Sequence, residues 1–388
     1  MPTVRINRKG AGRVAAGHPW VFSSDVLDRG SAEPGDTVTV IDPQGQALGV
    51  AHYSSTSQIC LRLLSSRIEP IDRSFFARRI AEAEALRKRM VSGTDAYRLV
   101  HGEADLLPGL VIDRYADCFT VQTLDQGMER AKADIVSCLV EQFAPRAIVE
   151  RNDASVRKRE SLPLVSGVLC GELPRPALIH MNGFELEADL LHGQKTGVFL
   201  DQRENYVAAA RYARGRALDC FTSTGGFALH IATACESVEA IDSSASALET
   251  ARSNARRNAV ENVEFREADV FDGLGAYAAA HRRFDTIVLD PPAFAKSRTA
   301  LEGAARGYKE INRRALQLLG PGGILVTCSC SHHVSEAMLL EIVAEASLDA
   351  NRRLRVLERR TQSQDHPILL TVPETLYLQC LILEVAAA

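Results

Sequence analysis

Two thiols and a distant acid carry the strongest chemical signal in this 388-residue chain. The run Gly322-Gly323-Ile324-Leu325-Val326-Thr327-Cys328-Ser329-Cys330-Ser331 is an apolar strand that ends in thiols and hydroxyls, and Asp290-Pro291-Pro292 precedes it. In an α/β fold the carboxyl end of a strand borders the ligand crevice. A thiolate placed there is a good nucleophile, so covalent catalysis is the chemistry to expect. Cys328 should still lie inside the strand and face the core, which makes Cys330 the candidate nucleophile and Asp290 its acidic partner. A metal fits poorly. Cys328, Cys330, His332 and His333 crowd into one extended segment that cannot readily close a tetrahedron, and no second cluster completes it. No metal is expected, and the histidines are read as lining the substrate entrance.

A second set of residues suits a nucleoside. Leu218-Asp219-Cys220-Phe221-Thr222-Ser223-Thr224-Gly225-Gly226-Phe227 reads as strand, tight turn and helix start. Gly225 and Gly226 would let backbone approach a ligand beside free N–H groups at a helix terminus. The run is not Gly-x-Gly-x-x-Gly, so a dinucleotide fingerprint is poorly supported. About twenty residues on, Asp242, followed by Ser243, can accept two ribose hydroxyls. Asp269, followed by Val270, ends the next strand and can accept from an adenine amine. A lone acid after a strand is commonly just a helix cap; acids at successive strand ends argue for a site.

The elements that must position these groups alternate from about residue 186. Strands are expected over Arg216–Cys220, Ser237–Ile241, Val263–Glu267, Thr286–Leu289 and Gly323–Cys328, with helices between, which predicts an α/β, doubly wound, mostly parallel sheet. Residues 1–72 read instead as short strands split by turns, a small β-barrel-like module. Residues 73–185 read as a basic amphipathic helix, a hairpin, a second helix and a strand, a small central α+β domain. The third domain is 186–388.

Composition sets the class. The 46% apolar and 24% charged residues are ordinary for a globular protein. No apolar run suits a membrane span, and Met1 to Arg13 has no secretory pattern, so cytosol and no membrane are expected. Nine cysteines without Cys-x-x-Cys spacing argue for reduced thiols. The net charge of −4 gives no global sign of nucleic acid. Basic residues nevertheless cluster at Arg5, Arg8, Lys9 and Arg13, at Arg78, Arg79, Arg87, Lys88 and Arg89, and at Arg151, Arg157, Lys158 and Arg159, so a local basic face is open.

The alternating half resembles the class I S-adenosylmethionine-dependent methyltransferases, with a Rossmann-like fold. Asp290-Pro291-Pro292-Ala293-Phe294-Ala295-Lys296 looks like the fourth motif of nucleic-acid methyltransferases, and Ser329-Cys330-Ser331 like the sixth motif of RNA cytosine-5 enzymes. Together with Gly17-His18-Pro19-Trp20-Val21-Phe22, His101-Gly102-Glu103-Ala104-Asp105-Leu106-Leu107-Pro108-Gly109-Leu110 and Lys195-Thr196-Gly197-Val198-Phe199-Leu200-Asp201-Gln202-Arg203, these resemble the ribosomal RNA large-subunit methyltransferases. The branch matched is the one that forms 5-methylcytosine in 23S rRNA and carries an amino-terminal PUA domain.

The resemblance implies a PUA module over 1–72 that grips RNA, and a hairpin over Lys195–Arg203 beside the cofactor. It implies S-adenosylmethionine held by Asp219, Phe221, Thr224, Gly225, Gly226, Asp242, Ser243, Asp269, Val270, Asp290 and Gln202. The 23S rRNA substrate would meet Pro291, Pro292, Phe294, Lys296 and Lys195, with Cys330 as nucleophile. A homodimer is compatible. Ala293 departs from two patterns: amino-directed enzymes usually have an aromatic residue there, and many RNA cytosine methyltransferases a second thiol. Three rivals stay open: an rRNA guanine methyltransferase that needs no thiol, a non-catalytic RNA-binding assembly factor, and a nicotinamide-dependent oxidoreductase, the last disfavoured by the missing glycine pattern.

Overall fold

The computed structural model describes residues 1–193, 195–294, 301–331 and 333–387. Lys296 and His332 lie outside the described residues. The chain forms two compact units: residues 1–181 with 188–198 and 364–375, and residues 182–187 with 199–363 and 376–388.

The first unit holds two sheets with separate cores. Strands Thr3–Ile6, Trp20–Phe22, Val26–Asp28, Thr37–Ile41, Ala47–Tyr53 and Ile59–Ser65 form a six-stranded sheet. Alternation sets its inner face: along Thr37–Ile41 only Val38 and Val40 are buried, and they join Val4, Ile6, Val21 and Leu61. A helix at Arg8–Ala15 was not expected, because Gly10 and Gly12 lower helix propensity by nearly 1 kcal/mol each. It forms because Asn7 Oδ1 accepts from the Gly10 N–H at 2.8 Å, and because Gly10 fits against Ile6 and Asp25.

The second sheet of this unit runs in the order Val165–Gly171, Ala147–Asn152, Cys118–Thr123, Leu110–Tyr115, Ala96–His101. Helices Arg73–Met90 and Lys132–Phe143 lay Phe75, Phe76, Ile80, Ile135 and Leu139 on Leu99, Ile112, Val121 and Ile148. Asp72 caps the first helix by accepting from Phe75 N–H at 3.1 Å.

The basic clusters do not form continuous faces. Arg87, Arg151 and Arg157 are buried. Arg87 forks onto Asp105, with its Nη2 at 2.7 Å, and donates to the carbonyls of Arg98 and Asp365 at 2.8 Å each. Arg157 donates to Glu129 and the Thr123 carbonyl. A buried guanidinium is held by filling its donors with such acceptors.

In the second unit the seven-stranded sheet has the order Val263–Glu267, Ser237–Asp242, Arg216–Cys220, Phe284–Leu289, Leu319–Ser329, Gln379–Val385, Leu354–Arg360. The first five are parallel and Gln379–Val385 is antiparallel to both neighbours. Successive connections run to opposite sides of Arg216–Cys220, so the strand order reverses between it and Phe284–Leu289, which places the ligand crevice at their carboxyl ends. The core includes Leu218, Ile287, Leu289, Tyr308, Ile311 and Leu325.

The segment Lys195–Arg203 is not a hairpin. Lys195 takes a left-handed backbone (φ 53) and Gly197 has φ 156, after which Leu200–Gln202 forms a 3-10 turn that runs into the helix Arg203–Tyr212. Among the described residues no helix is long and apolar enough to cross a membrane.

Arg87→Met should lower the unfolding free energy by about 3–5 kcal/mol in urea titration, because it strands a buried Asp105 charge. Asp105→Asn in the same chain should restore part of the loss. A loss under about 1 kcal/mol would show that the pair is not a structural requirement.

Candidate active site

The crevice is built from four adjacent strand ends. Asp219 is the fourth residue of Arg216–Cys220 and fully buried; Asp242 is the last residue of its strand; Asp290 directly follows Leu289; Cys330 directly follows Ser329. Parallel pairing sets Cys220 beside Ile241 and Leu289, and Leu289 beside Thr327, so these ends share one edge of the sheet.

The turn after Arg216–Cys220 is held open at a conformational cost. Phe221 (φ 64) and Ser223 (φ 49) are left-handed, each costing about 1–2 kcal/mol for a residue with a side chain. The N–H groups of Phe221 and Thr222 both donate to the Ile241 carbonyl, at 3.0 and 3.1 Å. Asp242 Oδ2 accepts from Ser223 N–H at 2.9 Å and Oδ1 from Ser244 N–H at 2.8 Å, tying two loops together. Gly225 (φ 90) needs its residue type for backbone reasons. Gly226 needs it for another: an added Cβ would stand 2.4 Å from Cζ of Tyr206, so the space is taken by a ring of the protein and not kept for a ligand.

Asp219 is the electrostatic centre. Burial, opposed by a 2.6 Å hydrogen bond from the Thr222 hydroxyl and reinforced by the Asp290 charge, raises its carboxyl to about 7. Its Oδ1 is buried and no described residue bonds to it. An orphaned carboxylate oxygen close to other acids suits a cationic ligand, and S-adenosylmethionine brings both a sulfonium and an ammonium. Next to this turn, His230 is pushed down to about 4 by burial. The neutral ring donates from Nδ1 to the Gly226 carbonyl at 2.7 Å and accepts from Asn182 at Nε2.

Gln202 Nε2 donates to Asp290 Oδ1 at 2.9 Å, Asn205 Nδ2 to Gln202 Oε1 at 2.7 Å, and Arg360 Nε to Asn205 Oδ1 at 2.8 Å. Gln202 and Asn205 are buried. Their direct bonding fixes where Asp290 stands.

Cys330 is half-buried and its Sγ lies 3.9 Å from the carbonyl oxygen of Pro291, so the thiol sits on the Asp290-Pro291-Pro292 turn. Tyr308 braces the other side: its hydroxyl lies 3.0 Å from both Ser329 Oγ and Ser331 Oγ, and the Phe294 ring packs on its own ring at 4.7 Å between centroids. Cys328 lies inside the strand, fully buried opposite Cys380, and burial pushes its thiol well above the ordinary range. It is a core residue.

The remaining predicted residues fall out unevenly. Asp269 lies two residues beyond its strand, is exposed, and caps the helix Val270–Ala279 by accepting from Asp272 N–H at 3.1 Å. Val270 is packed in the core, which leaves its main chain alone for a ligand. Ser243 is exposed and Thr224 half-buried, its carbonyl accepting from Asn254. Pro291 is buried and Pro292 exposed. Lys195 belongs to the first unit and the others to the second. Sequence reasoning passed over Asn205, Tyr206 and Tyr308. All three are buried polar residues on helices, and no local signal separates them from solvated ones.

Comparison with known proteins gives concordant results. Residues 4–66 match a PUA-like domain and residues 155–370 an S-adenosylmethionine-dependent methyltransferase. The chain is 46% identical to the ribosomal RNA large subunit methyltransferase I of Shewanella amazonensis, covering 95% of each chain. It is 45% identical to that of Shewanella denitrificans, again over 95% of each. A solved S-adenosylmethionine-dependent methyltransferase structure from Streptococcus mutans superposes with a TM-score of 0.85 at 20% identity, covering 99% of this chain and all of that one, a likeness of fold.

Asp219→Asn should alter the pH dependence of stability. A carboxyl raised from 3.8 to about 7 is bound to its proton more tightly in the folded chain. Its contribution is therefore full below pH 4 and lost as pH climbs to about 7, on the order of a few kcal/mol. Urea midpoints without cofactor should show the variant gaining on the parent between these limits and holding a constant lead above them. Parallel profiles would remove Asp219 as a destabilising buried acid.

Proposed function

Because the chain belongs to the ribosomal RNA large subunit methyltransferase I family, we propose that it methylates carbon 5 of a cytosine in 23S rRNA, with Cys330 as the covalent nucleophile. The observation that carries this reading is the 3.9 Å approach of Cys330 Sγ to the Pro291 carbonyl, which joins the thiol to the acidic turn at one sheet edge.

Carbon 5 of cytosine is too weak a nucleophile to attack a methyl group until a nucleophile adds at carbon 6. The Cys330 thiolate forms that bond as the ring double bond gives way and its electrons shift toward carbon 5. Asp290, fixed through Gln202, holds or protonates the ring so that the shifted charge is met. S-adenosylmethionine supplies the electrophilic methyl. A base then takes the carbon-5 proton, whose bonding electrons restore the double bond and expel the cysteine as thiolate.

Pro291 and Pro292 keep the turn stiff, which holds the thiol and the carboxylate in register. Asp219, Asp242 and Gln202 are assigned to the cofactor, with the turn Phe221, Thr224 and Gly225 and the main chain at Ser243 and Val270, while Gly226 is left to packing on Tyr206. Asp269, exposed at its helix cap, is kept as an adenine contact. Phe294 is assigned to the substrate base, and Lys195 and Lys296 to the RNA backbone. The target base must leave its stack to reach Cys330.

The test is transfer of labelled methyl to unmodified 23S rRNA, with the product nucleoside identified by mass spectrometry. The parent should form 5-methylcytosine, Cys330→Ala should fall by at least about a thousandfold, and Cys328→Ala should keep its activity. A methylguanosine product, or full activity in Cys330→Ala, would transfer the chain to the thiol-independent reading. Asn205→Ala touches neither thiol nor acid and should lower kcat by about ten- to a hundredfold through misplacement of Asp290. An unchanged kcat would show that the amide chain has no catalytic role.

A further inference from the structure

Two sequence motifs have no part in the methyl-transfer site: Gly17–Phe22 and His101–Leu110. Both lie in the first unit, and they meet. Trp20 Nε1 donates to Glu103 Oε1 at 2.8 Å, and the His18 and Trp20 rings pack edge to face at 5.1 Å. Beside this contact opens a cleft of about 400 Å³, which both motifs line together with the barrel strand Ile59–Ser65 and Arg79 of the helix Arg73–Met90. That volume lies within the range of small-ligand sites, roughly 300–1,000 Å³.

Its walls are largely apolar, from Val14, Leu63, Leu64, Leu106 and Pro108. Leu106 is unusual on two counts. It takes a left-handed backbone (φ 57), which is unfavourable for a leucine, and it remains 45% exposed instead of joining the core. The left-handed residue closes the 3-10 turn Gly102–Asp105, its N–H donating to the Glu103 carbonyl, and so sets the side chain on the cleft wall.

The polar groups define the ligand. Glu103 has one oxygen committed to Trp20, and no described residue bonds to the other. A free carboxylate oxygen on an apolar wall calls for an N–H donor. The Arg79 guanidinium, held to Glu82 at 3.1 Å, adds a planar cation. The helices that border the cleft also carry exposed cations, Arg8 and Lys9 on one and Arg89 on the other, while Arg78 and Lys88 are paired with Glu69 and Glu84. A flat aromatic group with an N–H edge attached to an anionic backbone is an unstacked nucleobase of RNA. Guanine, whose adjacent N1–H and N2–H₂ can both donate to the one remaining carboxylate oxygen, suits it better than adenine or cytosine, each of which sets a ring-nitrogen acceptor beside its amine.

We propose that this cleft binds an unstacked guanine of the RNA substrate, away from the base that is methylated, with Glu103 as the specificity residue. The proposal rests on the reading of the chain as an RNA enzyme. It adds a second base-reading site that anchors the RNA without taking part in the chemistry.

Trp20 is the sole tryptophan of the sequence, so its fluorescence reports on this cleft. The experiment titrates the full chain with GMP, AMP, CMP and UMP in turn. S-adenosylhomocysteine is kept saturating throughout, so that no nucleotide enters the cofactor site. GMP should change the emission saturably and bind at least tenfold more tightly than the other three.

Glu103→Gln retains an acceptor for the indole N–H and should weaken GMP binding about tenfold, a charged hydrogen bond being worth about 1.5–3 kcal/mol. Leu106→Asn should leave the fold as stable or more so, since Asn tolerates this backbone, yet weaken GMP binding several-fold. Both variants should raise KM for rRNA with kcat unchanged.

A flat or non-saturating titration, equal binding of all four nucleotides, or variants that titrate like the parent would overturn the proposal, and a parent still active on rRNA would leave the methyltransferase reading intact. Loss of that reading shows separately, as a parent that transfers no methyl to rRNA.

Discussion

The second unit depends on one constraint, that Arg216–Cys220 has a parallel neighbour on each side. A parallel strand pair needs a crossover, and crossovers to opposite sides leave the two loops diverging at the carboxyl edge. Asp219, Asp242, Asp290 and Cys330 stand close together because they lie at, or one residue from, the carboxyl ends of strands that share this register. Slipping any strand by one residue would turn its acid or thiol to the opposite face. The hydrophobic core beneath, with Leu218, Ile287, Leu289 and Leu325, is what forbids that slip.

Concentrating acids in this way is costly in an unliganded chain. Asp219 is displaced toward neutrality by burial, with the Asp290 charge adding to the effect. The left-handed Phe221 and Ser223 add backbone strain in the same turn. The fold offsets these costs with hydrogen bonds nearby, including the His230 bonds to Gly226 and Asn182 and the Asp242 bonds to Ser223 and Ser244. A cationic, hydroxyl-rich ligand would relieve much of what remains.

The strand ends were legible because β-strands in a parallel sheet are short apolar runs, and an acid after such a run stands out. The difference between Cys328 and Cys330 was legible for the same reason, as a residue inside the run against one past it. What escaped was interaction over long sequence distances. Arg87 looks like part of a basic surface until Asp105 and the Asp365 carbonyl close around it. Gly226 looks like a ligand-approach glycine until the Tyr206 ring occupies the space. Lys195–Arg203 looked extended, but the left-handed Lys195 and the short turn that follows turn the chain into a helix. The antiparallel strand Gln379–Val385, inserted between Leu319–Ser329 and Leu354–Arg360, carries no local sign of its place in the sheet.

The amide chain from Arg360 through Asn205 and Gln202 to Asp290 has a direction. A guanidinium can only donate, so Asn205 must offer it oxygen and turn its nitrogen to Gln202, which must in turn present its own nitrogen to Asp290. Neither amide can flip without setting like against like. Asp290 Oδ1 is thereby kept as an acceptor. A residue 70 positions away in sequence thus sets which way both amides face, and with them the role of one oxygen of the acid, much as a ratchet admits motion one way only.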